Sequence, residues 1–371
     1  MKLNLSIALS AIALSLLGIL FIFSASSYSS ALHFGDSLFY VKKQIYAFCV
    51  GLATMAAGAT INLELLKKLR WVIYLASLAL LALVFIPGLG VTSFGATRWI
   101  NLGFTTIQPS EISKFGLMIF LAGHLSEHPP VNFKSLIVPL LCGLSMCVLI
   151  ILEPNMSITI CVGMALMIML FVGGTPQKWF VTLFVLLALA VPLLIILEPY
   201  RMKRLTAFIN PWENPKNEGY QLIQSYFALG SGGLFGVGLF RSRQKYLFLP
   251  FAESDFIFSV IGEEIGLIGC LCVIAVFAVF IFAGIKTAAK ADSRYMALLA
   301  TGITSIIAVQ TVVNMAVVTG LIPPTGLPLP FVSAGGTALM VYMFCAGVLI
   351  NINGGIFKRK LRLFTKNKPE P

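Results

Sequence analysis

Three carboxylates at the start of a long apolar segment are the residues best suited to take part in a reaction. Asp255 follows a charged segment and opens the apolar run 255–285, and Glu263 and Glu264 lie within that run. A carboxylate at membrane depth costs free energy, so its presence there indicates a function. We therefore predict that Asp255 is catalytic and accepts a proton, and that Glu263 and Glu264 tune or support it.

Basic residues that could bind an anion precede this aspartate. Arg241, Arg243 and Lys245 follow a cluster of five glycines between positions 230 and 238. Glycine permits sharp turns, or a close approach of the backbone to a ligand. Because guanidinium and ammonium groups bind phosphate, we predict that these three cations contact the substrate.

A second candidate group follows the third apolar run. Arg98 is next to Trp99, and a cation beside an interfacial aromatic suits a phosphate group. Pro109 is typical of the first turn of a helix, in which Glu111 and Lys114 would share a face. We predict substrate contacts here. The alternative for Glu111 and Lys114 is a helix cap with a structural ion pair, and the spacing leaves both readings open.

The composition places these residues in a membrane protein. The chain of 371 residues is 58% hydrophobic and 11% charged, which excludes an ordinary soluble protein. Its repeated apolar runs have the length of helices that cross a bilayer. We predict an all-α polytopic membrane protein with about ten transmembrane helices, over residues 4–24, 44–62, 71–88, 112–125, 135–152, 156–174, 179–198, 255–285, 295–318 and 337–353.

The distribution of Lys and Arg predicts the topology. Most short basic segments lie on one side if both termini are cytoplasmic, as the positive-inside rule requires. This N-in, C-in topology puts one large extracytoplasmic loop, 199–254, between helices 7 and 8, with Asp255 at the outer face. Residues 1–353 then form a single transmembrane domain and residues 354–371 a basic cytoplasmic tail. The net charge of +12 largely follows from this pattern, so we expect no nucleic-acid partner.

Three connecting segments carry further expectations. Residues 319–336 contain four prolines and cannot form a helix, so this apolar stretch should line a cavity rather than face lipid. The run 255–285 is too long for a straight span and should bend near Gly262 or Gly266. Glu153 lies in a tight turn, and we interpret it as a solvated turn residue.

The cysteines indicate neither disulfides nor a metal site. All seven lie inside predicted helices, where they are expected to be small apolar core residues: Cys49, Cys142, Cys147, Cys161, Cys270, Cys272 and Cys345.

Several long motifs, in a consistent order, resemble one family. The chain contains GATRWINLG, IQPSEISK, YQLIQS, ALGSGGLFGVGL, QKYLFLP, DFIFSVIGEEIGLIG and TGLPLPFVSAGG. These resemble the SEDS proteins (shape, elongation, division and sporulation), from about Arg98 to Gly336. The segment KRLTAFINPWENPKNEGYQLIQS is more similar to the division-type FtsW and sporulation branch than to RodA.

The resemblance implies an enzyme of cell-wall synthesis. It implies a peptidoglycan glycosyltransferase that polymerises lipid II at the outer face of the cytoplasmic membrane, beside a class B penicillin-binding protein and other division-complex membrane proteins. It identifies Asp255 as the essential aspartate. A divalent cation, Mg²⁺ or Mn²⁺, would be held mainly by the substrate pyrophosphate. The implied substrate-binding positions are Arg98, Trp99, Gln108, Glu111, Lys114, Gln221 and Ser333.

The chain departs from the family pattern around the expected site. The family usually has His-Thr before the aspartate, where this chain has Glu253 and Ser254. Phe251, Asn155 and Ala334 also replace the usual residues.

Two other classes of function stay open at this point. A lipid II flippase or carrier would also use membrane carboxylates and broken helices, and it would need polar residues that continue to the inner face. A non-catalytic division scaffold would tolerate the loss of the Asp255 carboxylate without losing complex assembly.

Overall fold

The protein is a bundle of helices, and each of the ten predicted runs forms one of them. A computed structural model describes residues 2–93, 96–103, 106–196, 198–217 and 219–354. Its helices are α1 (Lys2–Phe34), α2 (Phe39–Thr60), α3 (Leu63–Lys68), α4 (Arg70–Ala82), α5 (Pro109–Glu127), α6 (Phe133–Leu152), α7 (Met156–Val172), α8 (Gln177–Ile196), α9 (Pro199–Ile209), α10 (Tyr220–Gly232), α11 (Ile257–Ala289), α12 (Arg294–Val318) and α13 (Gly336–Ile352). Apart from Gly354, the predicted basic tail lies outside the described residues.

The helices have the lengths and compositions of a polytopic membrane protein. Four described helices, α1, α6, α11 and α12, are long and apolar enough to cross a bilayer by themselves. Four shorter apolar helices begin at Arg70, Met156, Gln177 and Gly336. Helices α2 and α5 complete the set of ten.

Helix α5 lies at the centre of the bundle. It packs against α4, α6, α7, α12 and α13, and most of its side chains are buried. It begins at Pro109, which occupies the first turn as predicted. This central position explains how α5 carries Glu111 and Lys114, because protein groups rather than lipid surround them.

The connection before α5 forms a small sheet rather than an irregular loop. Three short strands, β1 (Gly90–Ser93), β2 (Ala96–Asn101) and β3 (Thr106–Ile107), form an antiparallel sheet in the order β1-β2-β3. The β-branched residues of this stretch suit a pleated, half-buried surface. The sheet gives Arg98 and Trp99 a rigid support.

The long segment 199–254 is also more ordered than the prediction of a single loop. It contains α9, which begins with Pro199 in its first turn, and α10, which packs against α11. Pro at the start of a helix costs little because the first N–H groups have no partner inside the helix.

The glycine cluster of this segment shapes a turn against α11. Helix α11 breaks at Gly266, which has φ +69°, so the predicted bend is confirmed. The N–H groups of Val237 and Gly238 donate to the carbonyls of Glu263 (2.9 Å) and Glu264 (3.0 Å). A Cβ on Gly236 would lie 2.2 Å from the Glu264 carbonyl oxygen. These glycines therefore serve the sharp turn and the close approach of two backbones.

The proline-rich segment between α12 and α13 has no regular secondary structure. Leu327, Leu329, Phe331 and Val332 are buried, while Pro323 to Pro328 line a cavity. The prediction of a cavity-lining segment is thus confirmed. We call residues 319–335 the proline-rich loop.

Candidate active site

A cavity of about 2150 Å³ lies at one end of the bundle. Its lining comes from the C-terminal ends of α1, α6, α8 and α12, the N-terminal ends of α2, α7 and α13, the strand β2 and the proline-rich loop. In the predicted topology this is the extracytoplasmic end. Asp255 is part of the lining.

Asp255 lies two residues before α11 begins, partly exposed to the cavity. The pKa of its carboxyl group is raised to about 6, mainly by burial, and the nearby Glu253 contributes in the same direction. The aspartate's own backbone N–H and the Arg204 guanidinium oppose this rise in pKa. A carboxylate with a pKa near the working pH is suited to accept a proton.

Gly326 of the proline-rich loop lies close to this carboxylate. It has φ +73°, and a Cβ at this position would lie 3.6 Å from Asp255 Oδ2. Glycine adopts this backbone conformation without the strain that another residue would incur. The loop therefore forms a wall next to the carboxylate.

Arg98 reaches the cavity wall from β2. Its guanidinium donates hydrogen bonds to the carbonyl oxygens of Glu153 (3.2 Å) and Pro154, at the C-terminal end of α6. Carbonyls at a helix C-terminus carry partial negative charge and stabilise a cation there. Trp99 and Gln108 also line the cavity, so three of the predicted contacts lie together with Asp255.

The structure corrects the interpretation of Glu153 as a solvated turn residue. Its side chain is fully buried, and burial raises the pKa of its carboxyl group to about 8, against the effect of Arg98. Glu153 is the C-cap residue of α6, and its N–H donates to the Leu149 carbonyl (3.2 Å). The short polar motif alone did not reveal this packing.

The Glu111 and Lys114 side chains form a buried ion pair. Lys114 Nζ lies 2.8 Å from Glu111 Oε2, and it donates to Gln310 Oε1 (2.8 Å) and Tyr342 OH (3.0 Å). Lys114 is fully buried and Glu111 is 1% exposed, and neither lines the cavity. This geometry matches the alternative of a structural ion pair, and the substrate contacts of these two residues remain a prediction.

The predicted cation cluster before Asp255 divides into two parts. Arg241 and Arg243 are exposed and do not line the cavity. Lys245 does line it, but its buried ammonium group lies 3.3 Å from Glu264 Oε1 and donates to the Phe240 carbonyl (2.6 Å). The sequence predicts that all three cations contact the substrate. In the structure, only Lys245 of the turn at residues 241–245 lines the cavity.

Glu263 and Glu264 bind this turn to α11. Glu263 accepts hydrogen bonds from the Arg243 N–H (2.8 Å) and the Ser242 hydroxyl. Glu264 accepts from the Ser24 hydroxyl (2.5 Å). Both glutamates are buried, and these contacts are those of residues that support the local structure.

Gln221 and Ser333 take different positions. Gln221 lines the cavity and donates to the Pro250 carbonyl (3.2 Å). Ser333 is 6% exposed and does not line the cavity; its hydroxyl donates to the Ser254 carbonyl (2.5 Å) and accepts from the Leu329 N–H (2.8 Å).

Sequence comparison decides the family. The chain matches the model of the family described as "Cell cycle protein", which covers FtsW, RodA and SpoVE, over residues 4–355. This protein belongs to the FtsW/RodA/SpoVE family. The SEDS prediction is thereby confirmed.

Relatives and solved structures agree over nearly the whole chain. The probable peptidoglycan glycosyltransferase FtsW of Geobacter sulfurreducens is 39% identical over 94% of this chain and 95% of that protein. Stage V sporulation protein E of Bacillus subtilis is 38% identical over 91% and 93%. A chain in a solved structure described as "Structural coordination of polymerization and crosslinking by a peptidoglycan synthase complex" has a TM-score of 0.78 at 27% identity. The match covers 93% of this chain and 96% of that chain. RodA of Thermus thermophilus has a TM-score of 0.69 at 26% identity, covering 94% and 96%. The predicted all-α polytopic membrane fold is confirmed.

The structure of this FtsW/RodA/SpoVE protein adds site residues that the sequence analysis missed. Arg204 lines the cavity, influences the Asp255 carboxyl group, and donates to the Pro324 carbonyl (3.2 Å). Its position in the basic run 201–204 was the available signal. Lys43, Gln44 and Glu253 line the cavity as well. Burial raises the pKa of Glu253.

The described side chains do not suggest a protein-bound metal. Within residues 2–354, apart from the gaps noted above, no group of three His, Cys, Asp or Glu side chains could hold a metal ion. The described residues therefore offer no such ligand group, and a divalent cation held mainly by the substrate pyrophosphate remains a prediction.

Proposed function

We propose that this protein is a peptidoglycan glycosyltransferase that polymerises lipid II, with Asp255 as its general base. The observation that carries the proposal is the Asp255 carboxyl group in a large cavity, with the Arg98 and Arg204 cations in the same lining. The name of the Geobacter sulfurreducens relative supports this activity. The similar chain from a peptidoglycan synthase complex supports it further.

The proposed step is a glycosyl transfer between two lipid-linked sugars. Asp255 accepts the proton of the acceptor's sugar hydroxyl while that oxygen forms a bond to the anomeric carbon of the donor. The bond from the anomeric carbon to the pyrophosphate oxygen breaks at the same time. Undecaprenyl pyrophosphate leaves with the bonding electron pair.

The cations of the cavity suit the developing negative charge of this leaving group. Arg98 is held by the carbonyls of Glu153 and Pro154, and Arg204 by that of Pro324, so each guanidinium has a defined position before substrate binds. Preorganised positive groups stabilise a transition state without reorganisation. We assign both arginines to the pyrophosphate.

Part of the cavity lining is apolar and suits a lipid chain. Apolar side chains of α7, α8 and α12 contribute to it: Ile158, Met164, Val191, Ile195, Val312 and Val313. A cavity lined by both charged and apolar side chains fits an amphiphile with a charged head group and a hydrocarbon tail.

We further place this activity in septal wall synthesis at the outer face of the bacterial cytoplasmic membrane. Similarity to FtsW and to a sporulation protein supports a division-type role. The similar synthase complex couples polymerization with crosslinking, which supports a class B penicillin-binding protein as the partner. Contacts with other division proteins remain a prediction.

The arrangement of the lining residues favours an enzyme over a carrier. The charged residues of the cavity, including Asp255, Glu253, Arg98 and Arg204, belong to one end of the bundle. A carrier would need a polar path that reaches the opposite end. One-sided chemistry is sufficient for polymerisation at a membrane surface.

The decisive experiment compares wild type with Asp255→Asn. Purified protein, with and without a class B penicillin-binding protein, receives labelled lipid II, and glycan strands are separated by gel. We expect strands from wild type and none from Asp255→Asn, because an amide cannot accept the proton.

The matched control is Glu127→Gln, which makes the same chemical change in a carboxylate that pairs with Arg70 outside the cavity. It should polymerise as wild type does. Strand formation by folded Asp255→Asn would refute the general-base role. An inactive wild type with its partner present, and with intact folding, would move the assignment to a carrier or a scaffold.

A further inference from the structure

Three consecutive backbone carbonyls that end at Asp255 each accept a hydrogen bond from one neighbouring surface. The Ala334 N–H donates to the Glu253 carbonyl (2.9 Å). The Ser333 hydroxyl donates to the Ser254 carbonyl (2.5 Å), and Asn314 Nδ2 donates to the Asp255 carbonyl (2.8 Å). We call these three donors the carbonyl clamp.

The clamp binds a segment whose carbonyl groups have no hydrogen-bond donors within α11. Helix α11 begins at Ile257, so residues 253–255 lie before its regular hydrogen bonds. Carbonyl groups in such a segment need other donors, since an unpaired buried carbonyl costs free energy. The clamp supplies those donors and thereby fixes the backbone that carries the Asp255 carboxylate.

Asn314 links this backbone to the proline-rich loop. Its buried amide also donates to the Leu327 carbonyl (2.7 Å). One amide group therefore holds both the aspartate segment and the loop that forms the wall beside the carboxylate. Proline has no N–H, so this loop depends on donors from other segments.

Gln310 anchors the same loop one helical turn earlier. Its side chain donates to the Pro328 carbonyl (2.9 Å) and accepts from Lys114 Nζ (2.8 Å). Residues four apart on a helix share a face, so α12 presents Gln310 and Asn314 to the loop together. The buried Glu111–Lys114 pair thus connects to the site through α12.

We propose that Asn314 and Ser333 are positioning residues that hold the Asp255 carboxylate at the reacting hydroxyl. This inference rests on the proposed glycosyl transfer and assigns to Ser333 a role other than substrate contact. A displacement of a catalytic group by about 1 Å can lower a rate by about 100-fold. The two side chains would therefore affect turnover more than substrate affinity.

The test measures the initial rate at saturating lipid II and the lipid II concentration that gives half of this rate. Asn314→Leu removes both donated hydrogen bonds at similar volume. Ser333→Ala removes the hydroxyl, and Ser333→Thr retains it. We expect Asn314→Leu and Ser333→Ala to lower the saturating rate by about 10- to 100-fold with an unchanged half-saturating concentration. Ser333→Thr should restore most of the rate lost in Ser333→Ala.

Thr311→Val is the matched control. Thr311 is also a buried polar residue of α12, and its hydroxyl donates to the Ile307 carbonyl within that helix. Its replacement should leave the rate unchanged. The midpoint of thermal unfolding is measured for each variant, and the rates are compared at a temperature where all variants are folded.

Each outcome separates this proposal from the proposed function. Wild-type rates in folded Asn314→Leu and Ser333→Ala would overturn the positioning role while leaving the polymerase intact. An equal loss in Thr311→Val, or a rate that recovers fully on cooling, would show a purely structural effect and would also overturn it. If Asn314→Leu does not fold, the Ser333→Ala and Ser333→Thr pair decides. An inactive wild type would instead contradict the proposed function itself.

Discussion

At the scale of single residues, the site combines a carboxyl group and a cation whose charges influence each other. Burial raises the pKa of Asp255 to about 6, and Arg204 acts in the opposite direction. At neutral pH the ionised form therefore predominates and can accept a proton. In the proposed reaction Arg204 has two roles, because it stabilises the ionised base and places positive charge beside the leaving group.

The Asp255 carboxyl group should make polymerisation depend on pH. Activity should fall as the pH decreases through about 6, since the protonated Asp255 carboxyl cannot accept a proton. Removing the nearby cation in Arg204→Gln should raise the pKa of Asp255 and move this decline to higher pH. The measurement is the initial polymerisation rate at low lipid II concentration from pH 4.5 to 9, roughly the range over which such groups titrate.

Lys203→Gln provides the control, because Lys203 lies on the same helix but does not line the cavity. Its pH profile should match that of wild type. A decline that stays at the same pH in Arg204→Gln would contradict the influence of Arg204 on the base.

At the scale of secondary-structure elements, the break in α11 depends on backbone contact with the glycine-rich turn. Gly233 and Leu234 accept hydrogen bonds from the N–H groups of Leu267 (2.9 Å) and Ile268 (3.2 Å), just after the break at Gly266. The backbone of the glycine-rich turn thus provides acceptors for the N–H groups that follow the break in α11. The N-terminal segment of α11, residues 257–265, follows Asp255 and ends at this supported break.

Gly236→Ala should therefore destabilise the protein. A Cβ at this position would lie 2.2 Å from the Glu264 carbonyl oxygen, and the residue has φ +81°. A non-glycine residue in this backbone region costs about 1–3 kcal/mol, and the steric clash adds to that cost. The midpoint of thermal unfolding should decrease clearly.

Gly230→Ala is the matched control. Gly230 lies within α10, and a Cβ there would meet no atom within 4 Å. Alanine favours a helix by about 1 kcal/mol over glycine, so the stability should be unchanged or higher. Equal thermal midpoints for the two variants would contradict the role of the close backbone contact.

At the scale of the whole molecule, helix ends from many parts of the chain meet around one cavity. The C-terminal ends of α1, α6, α8 and α12 lie at the same end as the N-terminal ends of α2, α7 and α13. This alternation agrees with helices that run up and down across a bilayer. The proposed reaction requires this end to face the outside, where the cell wall is built.

The corresponding prediction concerns orientation. In a chain whose seven cysteines are replaced by alanine, Ser37→Cys lies between α1 and α2, near the cavity end, and Lys68→Cys lies at the end of α3, on the opposite side. A membrane-impermeant maleimide added to intact cells should label Ser37→Cys and leave Lys68→Cys unlabelled. The reverse pattern would place the cavity in the cytoplasm and would contradict the N-in topology.

Hydrophobic run length and local composition were sufficient to predict the ten helices, the helix start at Pro109, the bend in α11 and the irregular proline-rich loop. These features depend on short-range physics: the length that crosses a bilayer, the missing N–H of proline and the conformational freedom of glycine. The chemical type of Asp255 and its place at the start of an apolar run likewise make it the main catalytic candidate from the sequence alone.

Only the tertiary structure could decide which side chains surround that aspartate. The spacing of Glu111 and Lys114 was compatible with substrate binding or an ion pair, and the packing of α5 among its neighbours buried both. Arg204 and Asn314 reach the site from α9 and α12, distant in sequence. Side-chain contacts across helices depend on how the helices pack, and no local pattern in a single sequence encodes that packing.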